Sequence, residues 1–224
     1  GLYQMESVGR PDGARPHGCE SLLAYHEQRL IRHRAEVGSD VGFRLDGDEC
    51  EQLRAEGMMY YHRYLAEFIL EDFAAVERDT RRNLRLMDFC FRYAQETSDK
   101  FELEQYRPYV LTMCARARAF LALRQGRPKA ALAAVREGIE RVRGVLQRFA
   151  PDQAESESRD LAVLRAMAKE IEDRIPVDPV ARLRRELAKA VREERYEDAA
   201  SIRDQLRVVQ SSPQVEEAGE GGTG

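Results

Sequence analysis

Apolar residues recur three or four positions apart along most of the chain, and this spacing restricts the fold more than any other feature. It matches the 3.6-residue period of an α-helix, whereas a half-buried strand would alternate apolar and polar residues. With 224 residues and 43% apolar side chains, the chain is large enough to bury a core. We therefore predict an all-α protein built from antiparallel helical hairpins.

Two such hairpins are predicted in the middle of the chain. The first begins at Asp48 and turns around Glu71, and the second turns at Gly126 and restarts at Pro128. Proline suits the first turn of a helix because that turn needs no intrahelical bond from its backbone nitrogen. Residues 19–150 are predicted to form one helical domain.

The segments around this domain differ from it in composition. Residues 1–18 and 210–224 are rich in Gly and polar residues, which predicts disordered ends. Residues 151–177 are predicted to be a linker with a connecting helix. Residues 178–209 are predicted to form a last, separate hairpin.

The second hairpin carries small residues at positions where two helices would have to approach closely. In this respect it resembles a tetratricopeptide repeat, which implies stacked helical hairpins. The matching positions are Ala119, Ala122, Gly126 and Ala131. The equivalent positions of the first hairpin hold Tyr64, Glu71 and Val76, so that hairpin is at best a degenerate repeat.

The C-terminal segment 178–207 reads DPVARLRRELAKAVREERYEDAASIRDQLR and has apolar residues on one face of each of two helices. Asp178 is a candidate cap for a helix that starts at Pro179. A hairpin of about 30 residues is below the length of about 40 residues at which a lone core usually suffices. The apolar face must therefore be buried against something else.

The run from Leu183 to Leu206, and above all YEDAASIRDQL, resembles the UVR motif of the UvrB and UvrC repair proteins. The resemblance implies that two hairpins pack head to tail into a four-helix bundle, within a pair of copies or between two proteins. It does not imply nuclease or helicase activity. The predicted partner-binding residues are Leu183, Leu187, Val191, Tyr196, Ala199, Ala200, Ile202, Arg203, Asp204 and Leu206. The alternative is that the hairpin packs only on the helix that precedes it.

These features predict a non-enzymatic adaptor or scaffold that pairs through its C-terminal hairpin with a protein partner or with itself. The alternative is an accessory factor in DNA repair that contacts nucleic acid through a basic surface. The segment Arg116–Arg148 holds nine basic and two acidic side chains, although the whole chain has a net charge of -4. The candidate anion-binding residues in it are Arg116, Arg118, Arg124, Arg127, Lys129, Arg136, Arg141 and Arg143.

Aromatic residues beside Arg63 offer another candidate nucleic-acid site. Tyr60, Tyr61 and Tyr64 could stack on bases, as aromatic residues do in single-strand binders. Their helical spacing instead favours a place in the core or in a groove.

No catalytic motif, metal site or cofactor site is predicted. The residues His17, Cys19, His26 and His33 lack the spacing of a helical metal pair, and we expect exposed polar histidines there. The four cysteines form no CxxC pair, which argues against a zinc ribbon. Cys90 and Cys114 fall in helical apolar patterns, which favours reduced, packed thiols and a cytoplasmic protein. No apolar run approaches the roughly 20 residues that a membrane span needs.

Overall fold

The computed structural model describes residues 4–149, 158–175 and 179–211. Apart from one isolated bridge between Leu45 and Ala94, these residues form helices, turns and loops, which confirms the all-α prediction. The α-helices are α1 (Leu22–Val37), α2 (Gly47–Ile69), α3 (Phe73–Tyr93), α4 (Thr97–Glu102), α5 (Arg107–Arg124), α6 (Pro128–Phe149), α7 (Arg159–Arg174), α8 (Pro179–Arg192) and α9 (Tyr196–Ser211).

The chain divides into two compact units, Gly1–Arg174 and Ile175–Gly224. We call the first the body and the second the hairpin unit. The predicted start of the linker, the cap at Asp178 and the tail from residue 212 onward lie outside the described residues. No helix in the described ranges is both long and apolar enough to cross a membrane.

The first hairpin of the body consists of α2 and α3, which pack against each other. Their turn is tight because Glu71 adopts a left-handed conformation with φ 59°. The side chain of Asp72 accepts a hydrogen bond from the backbone of Ala75 at 3.1 Å and so caps α3. On α2, Tyr64 is fully buried while Met58 is 48% exposed.

The second hairpin consists of α5 and α6, the helix pair in closest contact. The chain turns at Gly126, which has φ 66°, and α6 starts at Pro128 as the sequence predicts. The small residues Ala119, Ala122 and Ala131 are all buried. The resemblance of this hairpin to a tetratricopeptide repeat stays a prediction.

The N-terminal stretch corrects the sequence-based expectation of disorder, which does not hold for residues 4–18. The buried guanidinium of Arg63 donates hydrogen bonds to the backbone carbonyls of Glu6 at 2.8 Å and Gly9 at 2.9 Å. The same side chain makes a two-pronged ion pair with Asp79 at 2.6 and 2.9 Å. This segment is held by α2 rather than by apolar residues of its own, which is why its composition gives no sign of order.

A second buried charge, Glu56 on α2, ties α1 to the body. Its carboxylate has no solvent exposure and accepts hydrogen bonds from the backbone nitrogens of Leu22 at 2.7 Å and Leu23 at 3.2 Å. Arg82 donates to the same group, and Arg10 lies 3.6 Å from it. Glu56 thus satisfies two of the free backbone donors in the first turn of α1.

Near these ion pairs, the side chain of Glu67 lies in surroundings that disfavour its ionised form. Burial raises its pKa from the ordinary 4.5 to about 7, and the neighbouring charge of Asp79 acts in the same direction. One oxygen, Oε2, has no hydrogen-bond partner among the described residues, while Arg78 donates to Oε1 at 3.0 Å. Glu67 therefore keeps its proton up to a higher pH in the folded protein than in the unfolded chain.

This raised pKa predicts a pH-dependent loss of stability. The folded state keeps a proton that the unfolded state releases, so the free energy of unfolding falls as the pH rises from about 4.5 to about 7. Glu67→Gln should remove this loss, so its melting temperature should exceed that of the parent more at about pH 8 than at about pH 4.5. The exposed Glu140→Gln is the control, and an equal gain for Glu67→Gln at both pH values would contradict the prediction.

Candidate protein-interaction hairpin

The hairpin unit is formed locally, by residues close to one another in sequence. Helix α8 ends at Arg192, and Glu194 adopts a left-handed conformation with φ 57° that reverses the chain. The backbone nitrogen of Arg195 then donates to the carbonyl of Ala190 at 2.9 Å, which closes the end of α8. The guanidinium of Arg195 pairs with Asp198 at 2.7 Å across the start of α9.

Residues at equal distances on the two sides of this turn face each other, because the two helices are antiparallel. Within residues 182–207, three apolar pairs meet this condition: Leu183 with Leu206, Leu187 with Ile202, and Ala190 with Ala199. The outer and inner pairs are buried, and the middle pair is half-buried. The two alanines beside the turn allow the helices to approach closely there.

The structure separates the predicted binding residues into two groups. Leu183, Ala199 and Leu206 are buried, and Leu187 and Ile202 are half-buried. The remaining five are exposed: Val191, Tyr196, Ala200, Arg203 and Asp204. Tyr196 is 68% exposed and Val191 is 51% exposed, so two large apolar side chains among the predicted residues lie in solvent. The buried Ala190 was not predicted, although its position three residues after Leu187 places it on the same helix face.

The exposed polar pair Arg203 and Asp204 is a local one. The guanidinium of Arg203 donates to Oδ1 of its neighbour Asp204 at 2.9 Å, and both side chains are more than half exposed. A pair of this kind contributes at most about 1 kcal/mol to folding. Its predicted role in setting the register with a partner stays a prediction.

The exposed surface of α8 is strongly basic. It carries one acidic residue, Glu186, against five basic ones: Arg182, Arg184, Arg185, Lys189 and Arg192. Exposed pairs offset part of this charge, such as Arg182 with Glu186 at 3.8 Å. By contrast, α9 begins with the acidic residues Glu197 and Asp198, of which Asp198 pairs with Arg195. Helix α8 is thus basic, whereas α9 is acidic only at its start.

The core of the hairpin is small. In the part of the unit that the structure describes, the buried apolar residues are Leu183, Ala190, Ala199 and Leu206, and two of these are alanine. A fold of this length rarely has enough core to be stable alone. Its half-buried leucine and isoleucine and its exposed valine and tyrosine define an apolar surface suited to a protein partner.

The basic residues of α5 and α6 do not form one field of free charge. Several lie next to carboxylates, as in the pairs Arg118 with Glu137, Arg124 with Glu71, Arg136 with Glu172, and Arg143 with Glu140. Arg141 lies 3.9 Å from Glu137. Arg116 is stacked on Phe68 at 4.4 Å, and burial lowers its pKa. Lys129 and Arg127 are exposed near the turn, where Arg127 donates to Gln125.

The histidines and cysteines do not form a metal centre in the described residues, where no group of three suitable ligands occurs. His26 differs from the expected exposed histidine, since it is 2% exposed. Desolvation lowers its pKa, because burial disfavours the charged ring. His17 instead stacks on Tyr25 with ring centroids 4.0 Å apart.

Helices α8 and α9 pack against each other as a two-helix hairpin. Comparison with known protein families agrees, since residues 179–212 match the family described as the UvrB/uvrC motif. The match begins at the first residue of α8 and extends just past the end of α9. No curated protein and no solved structure matches the chain.

Proposed function

We propose that this protein is a non-enzymatic adaptor that pairs through its C-terminal hairpin with a second UVR-type hairpin. The observation that carries the proposal is that the UvrB/uvrC match falls on a two-helix unit with only four buried apolar residues in the part that the structure describes. The body would act as the part that the hairpin connects to a partner. The motif is associated with interactions among DNA-repair proteins, so repair is the first pathway to consider.

The charges of the hairpin support a head-to-tail arrangement. Two copies of the basic α8 placed side by side would repel each other, whereas α8 beside the acidic start of a partner's α9 would attract. A second copy of this chain supplies such a start at Glu197 and Asp198. A different protein with an acidic UVR-type hairpin would meet the same condition.

The pairing is tested with Val191→Asp in the full chain. Val191 is 51% exposed, so an aspartate there leaves the hairpin's own core intact but puts a charge into the proposed interface. We expect the dissociation constant for pairing to rise at least about tenfold, or about 1.4 kcal/mol. Light scattering over a range of concentrations measures self-pairing, and titration with a labelled second UVR-type hairpin measures pairing with another protein.

Ser201→Asp is the matched control because it adds the same charge to the same hairpin. Ser201 is exposed and lies two positions from the buried Ala199, which is about 200° around the helix. It should keep the parent's affinity. If neither assay detects pairing of the parent, or if both variants weaken it equally, the proposed interface is wrong.

Contact of α5 and α6 with nucleic acid stays the alternative prediction. It has less support, because nearby carboxylates offset several of the basic side chains on which it depends. Electrostatic binding to nucleic acid requires basic side chains that can pair with phosphates, because this pairing releases the counterions that surround the nucleic acid.

A further inference from the structure

We propose that a cleft in the body, bounded by α2, α3 and α5, binds a small organic cation with an apolar, aromatic body. The cleft is formed by residues between Glu51 and Val110, all within the body. The inference therefore concerns a second site and does not depend on the hairpin.

The cleft has the size and lining of a ligand site. Its volume is about 560 Å³, within the range of about 300–1,000 Å³ that is usual for small-molecule pockets. Its apolar lining comes from residues far apart in sequence: Met58, Tyr61, Tyr64, Leu86, Met87, Leu103, Tyr106, Tyr109 and Val110. Tyr64 and Leu86 are almost completely buried. The chain between α4 and α5, which holds Leu103 and Tyr106, adds a wall of its own.

The tyrosines form an aromatic wall on which a cation can rest. The rings of Tyr61 and Tyr64 are perpendicular, with centroids 5.5 Å apart, and Tyr109 lies 6.1 Å from Tyr61. Rings set at right angles present both faces and edges, and the face of an aromatic ring attracts a cation. Burial also raises the pKa of Tyr109, which marks this wall as poorly hydrated.

The cleft is open to solvent through apolar side chains. Met58 is 48% exposed and Tyr106 is 50% exposed, and both line the cleft. Large apolar groups left in water beside a concave apolar surface are typical of a binding site, because a ligand would remove them from water. An apolar ligand body would thus be stabilised at this mouth.

The charge at the cleft selects a cation. Glu51 is exposed, and the side chain of Glu102 is 48% exposed. The lining residue of opposite charge, Arg54, already pairs with Asp99 at 2.8 Å and with Glu102 at 3.1 Å. An anionic ligand would have to displace these carboxylates from Arg54, whereas a cationic ligand would be attracted by the carboxylates already at the cleft.

Tetraphenylphosphonium and tetraphenylborate test the proposal because they share shape and aromatic surface but have opposite charges. In titration calorimetry we expect the full chain to bind the phosphonium at least about tenfold more tightly than the borate. The phosphonium should also raise the melting temperature of the protein. Glu51→Lys should reduce or reverse this preference. Glu36→Lys, an equal charge change on an exposed part of α1 outside the cleft, should leave it unchanged.

Ala55→Trp gives an independent test based on volume. Ala55 lines the cleft and is exposed, so a larger side chain can be accommodated by the fold while it fills the mouth. We expect at least about a tenfold loss of phosphonium affinity with little change in melting temperature without ligand. Equal binding of the two probes, full binding by Ala55→Trp, or equal losses in Glu51→Lys and Glu36→Lys would each overturn the proposal.

Discussion

Replacing Glu56 by alanine is expected to lower the free energy of unfolding by about 3–5 kcal/mol, the usual effect of removing one partner from a buried ion pair. The Glu56 carboxylate has no solvent exposure and lies against Arg82, whose side chain is 11% exposed. In the variant, the buried charge of Arg82 would lose the Glu56 carboxylate with which it pairs. The backbone nitrogens of Leu22 and Leu23 also lose their acceptor at the start of α1.

Urea unfolding followed by far-ultraviolet circular dichroism measures this change. Hydrogen exchange locates it, because the amides of Leu22 and Leu23 should lose protection before those of α5 and α6. Glu36→Ala, which removes an exposed carboxylate from α1, should change the stability by no more than about 0.5 kcal/mol. A loss below about 1 kcal/mol for Glu56→Ala would show that its carboxylate does not hold α1.

The second large effect is expected at Gly138, where α5 and α6 cross. A Cβ atom at this position would lie 2.4 Å from the Cβ of Ala115, closer than two carbon atoms can approach without a shift of the helices. Gly138→Ala should therefore lower the free energy of unfolding by about 1–3 kcal/mol, as overpacking usually does. Helix propensity alone predicts the opposite, a gain of about 1 kcal/mol.

Gly144→Ala is the matched control, since it makes the same change six residues further along α6. Apart from the adjoining backbone of α6 itself, no atom of the described residues lies within 4 Å of a Cβ built at Gly144, so the variant should gain about 0.5–1 kcal/mol. Thermal or urea unfolding of the two variants compares them directly. Stabilisation of both by the same amount would mean that the close approach of α5 and α6 is not required.

The helices themselves could be predicted from the sequence because their signals are local. Apolar spacing indicated the helical fold, Pro128 and Gly126 marked the turn of the second hairpin, and the run from Leu183 to Leu206 identified the C-terminal motif. Each of these signals lies within one or two turns of the residues that it organises. The short helix α4 was not among the predicted elements, because its residues Thr97–Glu102 are mostly polar.

The buried charges could not be predicted in this way. Glu56, Arg63 and Asp79 look like solvated residues of amphipathic helices, because each is usually exposed when it has no partner. Their partners come from other elements: Asp79 is 16 positions from Arg63, and the nitrogen of Leu22 is 34 positions from Glu56. The ordered N-terminal segment was missed for the same reason, since Arg63 holds it through backbone carbonyls.

The sequence by itself determined the helical class, the turns and the identity of the C-terminal hairpin, because periodicity and turn residues act over short distances. Only the tertiary structure decided which charges are buried, which hairpin residues stay exposed and where a cleft opens. Those features depend on helices that meet from distant parts of the chain. The tyrosines of α2 illustrate the division, since their spacing allowed a core or a groove, and the positions of α3 and α5 bring the buried Tyr64 and the half-buried Tyr61 together in the wall of the cleft.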